Sequence, residues 1–142
     1  MYGVRYLTAY AVGSIVGILN ELFQKPDQPC FRDPKYSCVL TLGSANVYGW
    51  SVLAITAYFD LARMSGMPTI VTLALIGPIL AVLECIFGKI SKAYFGPPQR
   101  WKYPDFYCTA CEGYISLLST AYFELMGLFY WFCMYKPAIS KI

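Results

Sequence analysis

The 20 residues from Pro68 to Phe87, "PTIVTLALIGPILAVLECIF", contain a single charged side chain, Glu84. At about 1.5 Å per residue such a segment makes a helix about 30 Å long, the thickness of a bilayer's hydrocarbon core. Three more stretches share its length and character: Tyr6–Phe23, Val39–Ala62 and Gly113–Tyr135. The 142-residue chain is 58% hydrophobic and 13% charged, whereas soluble domains carry about 25% charged residues. Too few polar side chains remain to cover a water-facing surface. In hydrocarbon every backbone amide must find its partner within the protein, so each stretch is expected to be a helix. The expected fold class is an all-α integral membrane protein with four transmembrane helices in a single domain, residues 1–142. The opening Met-Tyr-Gly-Val-Arg leads straight into apolar sequence, which favours an uncleaved first span over a signal peptide.

The second and fourth stretches resemble each other. "GWSVLAITAYFDL" at 49–61 and "GYISLLSTAYFEL" at 113–125 share seven residues without a gap and close on an acid, Asp60 and Glu124. Upstream, Glu21 in "GILNELF" and Glu84 in "AVLECIF" stand 63 residues apart. This pattern suggests two copies of a two-helix unit, about 6–62 and 68–135. Two-span copies return the chain to its starting side, so they would be parallel, related by a pseudo-twofold along the membrane normal. Glu21 and Glu84 would then lie at similar depth, facing the bundle interior, because a charge facing lipid costs about 2.5–3.5 kcal/mol at mid-membrane. Glu21, Glu84 and Glu124 form the candidate intrabundle binding site. Glu21 could instead snorkel or pair with Lys25, and Glu124 could simply bond a neighbouring helix. Asp60 is expected to pair with Arg63. Gly13 and Gly17 suit close helix approach, and Gly77-Pro78 should kink the third helix.

With four spans, the connections Gln24–Cys38 and Gly88–Glu112 share one side of the membrane. That side carries seven cations against four on the terminal side, a bias that favours the cytosol or a mitochondrial matrix. Cys30, Cys38, Cys108 and Cys111 lie on the same two connections. They fit unpaired thiols, disulfides tying the two connections together, or a four-thiolate zinc site. Cys85 and Cys133 read as small apolar residues within spans. Arg100, Trp101, Lys102 and Tyr103 are candidate headgroup contacts at the interface.

Several short motifs resemble those of the transmembrane protein 229 family and its bacterial relatives, labelled ABC-transporter permeases of the CmpB type. They are Gly17-Ile-Leu-Asn-Glu21, Val47-Tyr48-Gly49, Glu84-Cys-Ile-Phe-Gly88, Trp101-Lys102-Tyr103 and Gly113. The resemblance implies the same four-span fold along nearly the whole chain. Lys102 stands where the family carries an aspartate, and Phe123 where it carries tryptophan, so a function resting on that aspartate would be lost here.

No histidine is present, which removes the commonest general base and metal ligand, and neither a nucleophile elbow nor a nucleotide-binding loop appears. No catalytic residue, cofactor, resident metal or nucleic-acid partner is expected. The expected function is that of a non-catalytic structural or accessory subunit of a larger membrane complex, in contact with lipids and other membrane-protein subunits, in an endomembrane or the mitochondrial inner membrane. A permease component using the paired acids, and an intramembrane lipid-modifying enzyme, are the alternatives.

Overall fold

The computed structural model describes residues 2–24, 34–95 and 108–140. It is predominantly helical and divides into two compact units, Met1–Asp60 and Leu61–Ile142.

The first unit pairs helix α1 (Tyr2–Gln24) with helix α2 (Pro34–Met64). Their contact is close because small residues line it. A Cβ built on Gly13 would come within 2.6 Å of the Tyr48 carbonyl oxygen, and one on Gly17 would strike the Tyr48 side chain. Gly49 returns the contact from α2, against Tyr10 and Ser14 of α1. Tyr10 also donates to Asn46 Oδ1 at 2.5 Å and meets Trp50 edge-on at 5.6 Å. The small-residue packing expected at Gly13 and Gly17 is therefore present, with Tyr48 as the residue they admit. Helix α2 begins at Pro34, so Cys38 lies in the helix and not on the connection before it.

In the second unit a turn at Gly66, with φ +70°, leads into α3 (Thr69–Ala74) and α4 (Ile76–Phe95). The expected kink is there, but the break falls at Leu75 (φ −92°, ψ −4°), three residues before Pro78. The reason is steric: a proline ring collides with the carbonyl four residues earlier, here that of Ala74.

The next described segment is a two-stranded hairpin, β1 (Thr109–Ala110) antiparallel to β2 (Ile115–Ser116), with Thr109 opposite Ser116. Its turn is Cys111–Gly113, in which Cys111 (φ 53°) and Glu112 (φ 61°) take left-handed backbone. Gly113 has φ +88°, a left-handed value that glycine adopts without penalty. Helix α5 (Leu117–Tyr130) follows, continued by a π turn (Trp131–Tyr135) and α6 (Lys136–Ile139). A helix starting at Gly113 was expected. The start moves to Leu117 because residues 115–116 are used as a strand and Ser116 then caps the helix.

Two of these helical runs, Thr69–Ile90 and Leu117–Ile139, are long and apolar enough to cross a membrane. Only 28% and 11% of the residues in them are buried. The core helix of a soluble protein is usually mostly buried. Val82, Ile86 and Ile90 on α4, and Leu118, Leu125 and Phe129 near or on α5, are all exposed, which water would penalise and hydrocarbon would not.

Candidate functional site

In the first unit Asp60 is buried near the end of α2. Arg5 of α1 forms an ion pair with its Oδ2, and the Tyr6 hydroxyl donates to the same oxygen at 2.8 Å. The expected partner was Arg63, three residues on. Antiparallel pairing of α1 and α2 instead brings the start of one helix to the end of the other, and Arg5 reaches the carboxylate from across the contact. One turn earlier Thr56, fully buried, bonds the Val52 carbonyl at 2.6 Å, so its hydroxyl is satisfied within its own helix.

The second unit places two carboxylates between α4 and α5. Glu124 accepts a hydrogen bond from the backbone N–H of Gly77. That amide lies in the first turn of α4, where no preceding helical carbonyl is in place to receive it, because the helix was broken at Leu75. A carboxylate at a helix start is also favoured by the positive end of the helix dipole. Glu124 thus closes the gap that Pro78 opens, which explains an acid in the middle of an otherwise apolar helix. Of the two readings open at this position, the bond to a neighbouring helix is the one present.

Glu84 is 4% exposed. The Ser119 hydroxyl lies 3.1 Å from its Oε2. Ser119 is held by a reciprocal cap: its N–H donates to Ser116 Oγ at 2.9 Å, and its own Oγ accepts from the Ser116 N–H at 3.1 Å. The start of α5 therefore fixes the hydroxyl that meets Glu84.

Glu84, Gly88 and Lys92 are spaced four apart and share one face of α4. Gly88 admits Tyr114, whose Cβ would lie 3.0 Å from a methyl group added there and which is 1% exposed. Lys92 Nζ lies 2.9 Å from Glu112 Oε2. The hydrogen bond and charge of Glu112 raise the Lys92 pKa above its ordinary value of 10.5. Beside this stripe, Cys85 is bonded to Cys111, with Cα atoms 6.0 Å apart.

That bond revises the cysteine assignments. Cys85, read from the sequence as an inert apolar residue, is the partner of Cys111, and Cys108 is free and exposed. Neither a bridge from Cys111 to the first connection nor a four-thiolate zinc site that uses Cys111 fits this arrangement. The reason is vertical position: the hairpin carries Cys111 back along α4 to the level of Cys85. The side chains of Glu21 and Cys38, and Lys25, Cys30, Arg100, Trp101, Lys102 and Tyr103 altogether, lie outside the described residues.

Sequence reasoning missed the Cys85–Cys111 bridge, the Arg5–Tyr6–Asp60 cluster and the Ser116–Ser119 cap. The first two need the helix pairing to be known. The cap left a faint mark, a serine pair three residues apart just before an apolar run.

Helices joined in pairs, with polar side chains spent between the two members, are what the geometry defines. No protein-family model, curated protein or solved structure matches the chain.

Proposed function

We propose that this chain is a multi-pass integral membrane protein of four spans, serving as a non-catalytic structural or accessory subunit in contact with lipid and with other membrane subunits. One observation carries the reading. Asp60, Glu84 and Glu124 are each taken up by the partner helix of their own unit. A carboxylate engaged in this way fastens two helices together; it is not displayed to a substrate. Large apolar side chains face outward instead, including Val4, Leu7 and Ile15 on α1. Beside Pro78, an open apolar recess of about 300 Å³ lined by Ile79, Val82 and Leu83 has the chemistry of a site for a lipid acyl chain.

The duplication belongs to the same proposal, with a changed register. In the first unit Tyr6 meets Asp60 and Gly17 meets Tyr48. In the second, Gly77 meets Glu124 and Gly88 meets Tyr114. The two contact positions on the leading helix are 11 residues apart in both units, about three full turns, which keeps them on one face. On that correspondence Glu84 stands in the place of Gly13 and is not the counterpart of Glu21.

The test is gentle purification from native membranes together with Glu84→Gln and Glu124→Gln. A stoichiometric set of partner subunits, retained by both variants, is the expected result. A lone homodimer showing substrate-dependent flux, abolished by Glu84→Gln, refutes the structural reading in favour of a permease.

A further inference from the structure

We infer that the end of the molecule where α4 finishes and α5 begins faces an oxidising compartment, with Cys85–Cys111 as a permanent covalent clasp, and that the turn at Gly66 and the C-terminus face the cytosol. This rests on α4 and α5 crossing a membrane and on no other part of the proposed fold.

The clasp is prepared by its surroundings. Along one face of α4, Glu84 meets Ser119, Gly88 meets Tyr114 and Lys92 meets Glu112. Three contacts between Glu84 and Lys92 set the register of α4 against residues 112–119 independently of the disulfide. Cys85 and Cys111 are thereby held with Cα atoms 6.0 Å apart, within the range that a disulfide spans. Closing the bond removes two electrons and two protons from the two thiols. They pass to a donor disulfide of the compartment, which leaves as two thiols. Such donors dominate outside the cytosol, whereas cytosolic thiol pools return protein disulfides to thiols.

The count of cations argued the opposite orientation. That count is a summed statistical bias on insertion. A stable disulfide is rare in a thiol-reducing compartment, while a charge bias of seven to four is a moderate preference. The covalent bond therefore decides.

The experiment uses the full chain expressed in eukaryotic cells. Membranes are first washed at alkaline pH, and retention of the protein tests the membrane reading by itself. Free thiols are then trapped with N-ethylmaleimide, and an unreduced digest is examined by mass spectrometry. The peptides bearing Cys85 and Cys111 are expected as one cross-linked species, separated on reduction. Retention in the membrane with both cysteines alkylated overturns the inference and leaves the membrane reading intact. Orientation is read with a flexible insert carrying an N-glycosylation acceptor, placed either between Pro98 and Gln99 or after Ile142. Modification at the internal position alone supports the inference; modification of the terminal acceptor, or of neither, overturns it.

Discussion

Replacing Gly13 by alanine tests the packing argument most directly, with Gly3→Ala as its control. Both glycines lie in α1; alanine brings an intrinsic helix gain of about 1 kcal/mol at Gly13, in the helix interior, and a smaller gain at Gly3, in the first turn. They differ in what the new methyl meets. At Gly3 nothing lies within 4 Å. At Gly13 the Tyr48 carbonyl oxygen lies 2.6 Å away and Val52 Cγ2 lies 2.8 Å away. A relaxed carbon–oxygen contact needs roughly 0.6 Å more, and backbone cannot swing aside as a side chain can. Helices α1 and α2 must separate, loosening Gly17 on Tyr48 and the Tyr10–Trp50 contact together. Overpacking of this kind costs about 1–3 kcal/mol, which outweighs the helix gain. Gly13→Ala should therefore fall below wild type and Gly3→Ala should match or exceed it, a spread of about 2 kcal/mol between the variants. Thermal unfolding of the detergent-solubilised protein, followed by size-exclusion chromatography with fluorescence detection, measures the difference. At about 2–4 °C per kcal/mol for a chain of this size, the midpoints should lie several degrees apart. Equal midpoints would show that α1 and α2 do not meet at Gly13, and the first unit's packing would have to be redrawn.

Other substitutions separate the polar contacts. Asp60→Asn removes the Arg5–Asp60 ion pair at a largely buried position and should cost about 3 kcal/mol; Arg5→Met with Asp60→Leu should recover most of it, and a double variant no better than the single would refute the pairing. Ser119→Ala removes both the hydroxyl facing Glu84 and one half of the α5 cap, for a loss of about 1–3 kcal/mol, whereas Ser116→Ala removes only the cap and should lose about 1 kcal/mol. Glu124→Gln keeps a carbonyl acceptor for the Gly77 amide and should unfold within a degree or two of wild type, while Glu124→Leu strands that amide and should not. For Lys92 the folded pKa is raised by Glu112, so the pair's contribution is present below pH 10.5 and is lost as pH climbs through the raised value. NMR titration of Glu112→Gln should show the lysine titrating lower than in wild type, and the difference should shrink in high salt because the pair is exposed.

Several features were legible in the sequence because they follow from local composition. Apolar length marked Pro68–Phe87 and Gly113–Tyr135, which overlap the observed runs Thr69–Ile90 and Leu117–Ile139; small-residue spacing marked Gly13 and Gly17, and Gly77-Pro78 marked the break. What was not legible depended on which residues meet across two helices. Arg5 and Asp60 are 55 positions apart, and no periodicity along either helix links them. Cys85 looked like filler because its surroundings in sequence are Leu83, Glu84, Ile86 and Phe87. Its fate was decided by a hairpin of two-residue strands, too short to leave a period-two pattern. The left-handed conformations of Cys108, Cys111 and Glu112 are equally unforeseeable, since none of these is a residue that favours them.

On the proposed membrane placement, the two units also give a reason for a helix pair to carry acids at all. In hydrocarbon, apolar side chains gain little by meeting each other, because lipid tails are as apolar as they are. Helices are then held by close backbone approach and by polar bonds. The first unit has both on one face of α1: Gly13 and Gly17 for approach, Arg5 and Tyr6 for bonding. In the second unit proline has broken the leading helix, and the polar contact becomes a backbone amide, that of Gly77, bonded to Glu124. A backbone donor offers no charge, so that end of α4 is held less firmly than Arg5 holds Asp60. Further along α4, Glu84 adds a second polar contact, to Ser119. Restoring an unbroken helix with Pro78→Ala should give the Gly77 amide a helical carbonyl and make α4 less dependent on Glu124, so that Glu124→Leu costs less in that background than in wild type.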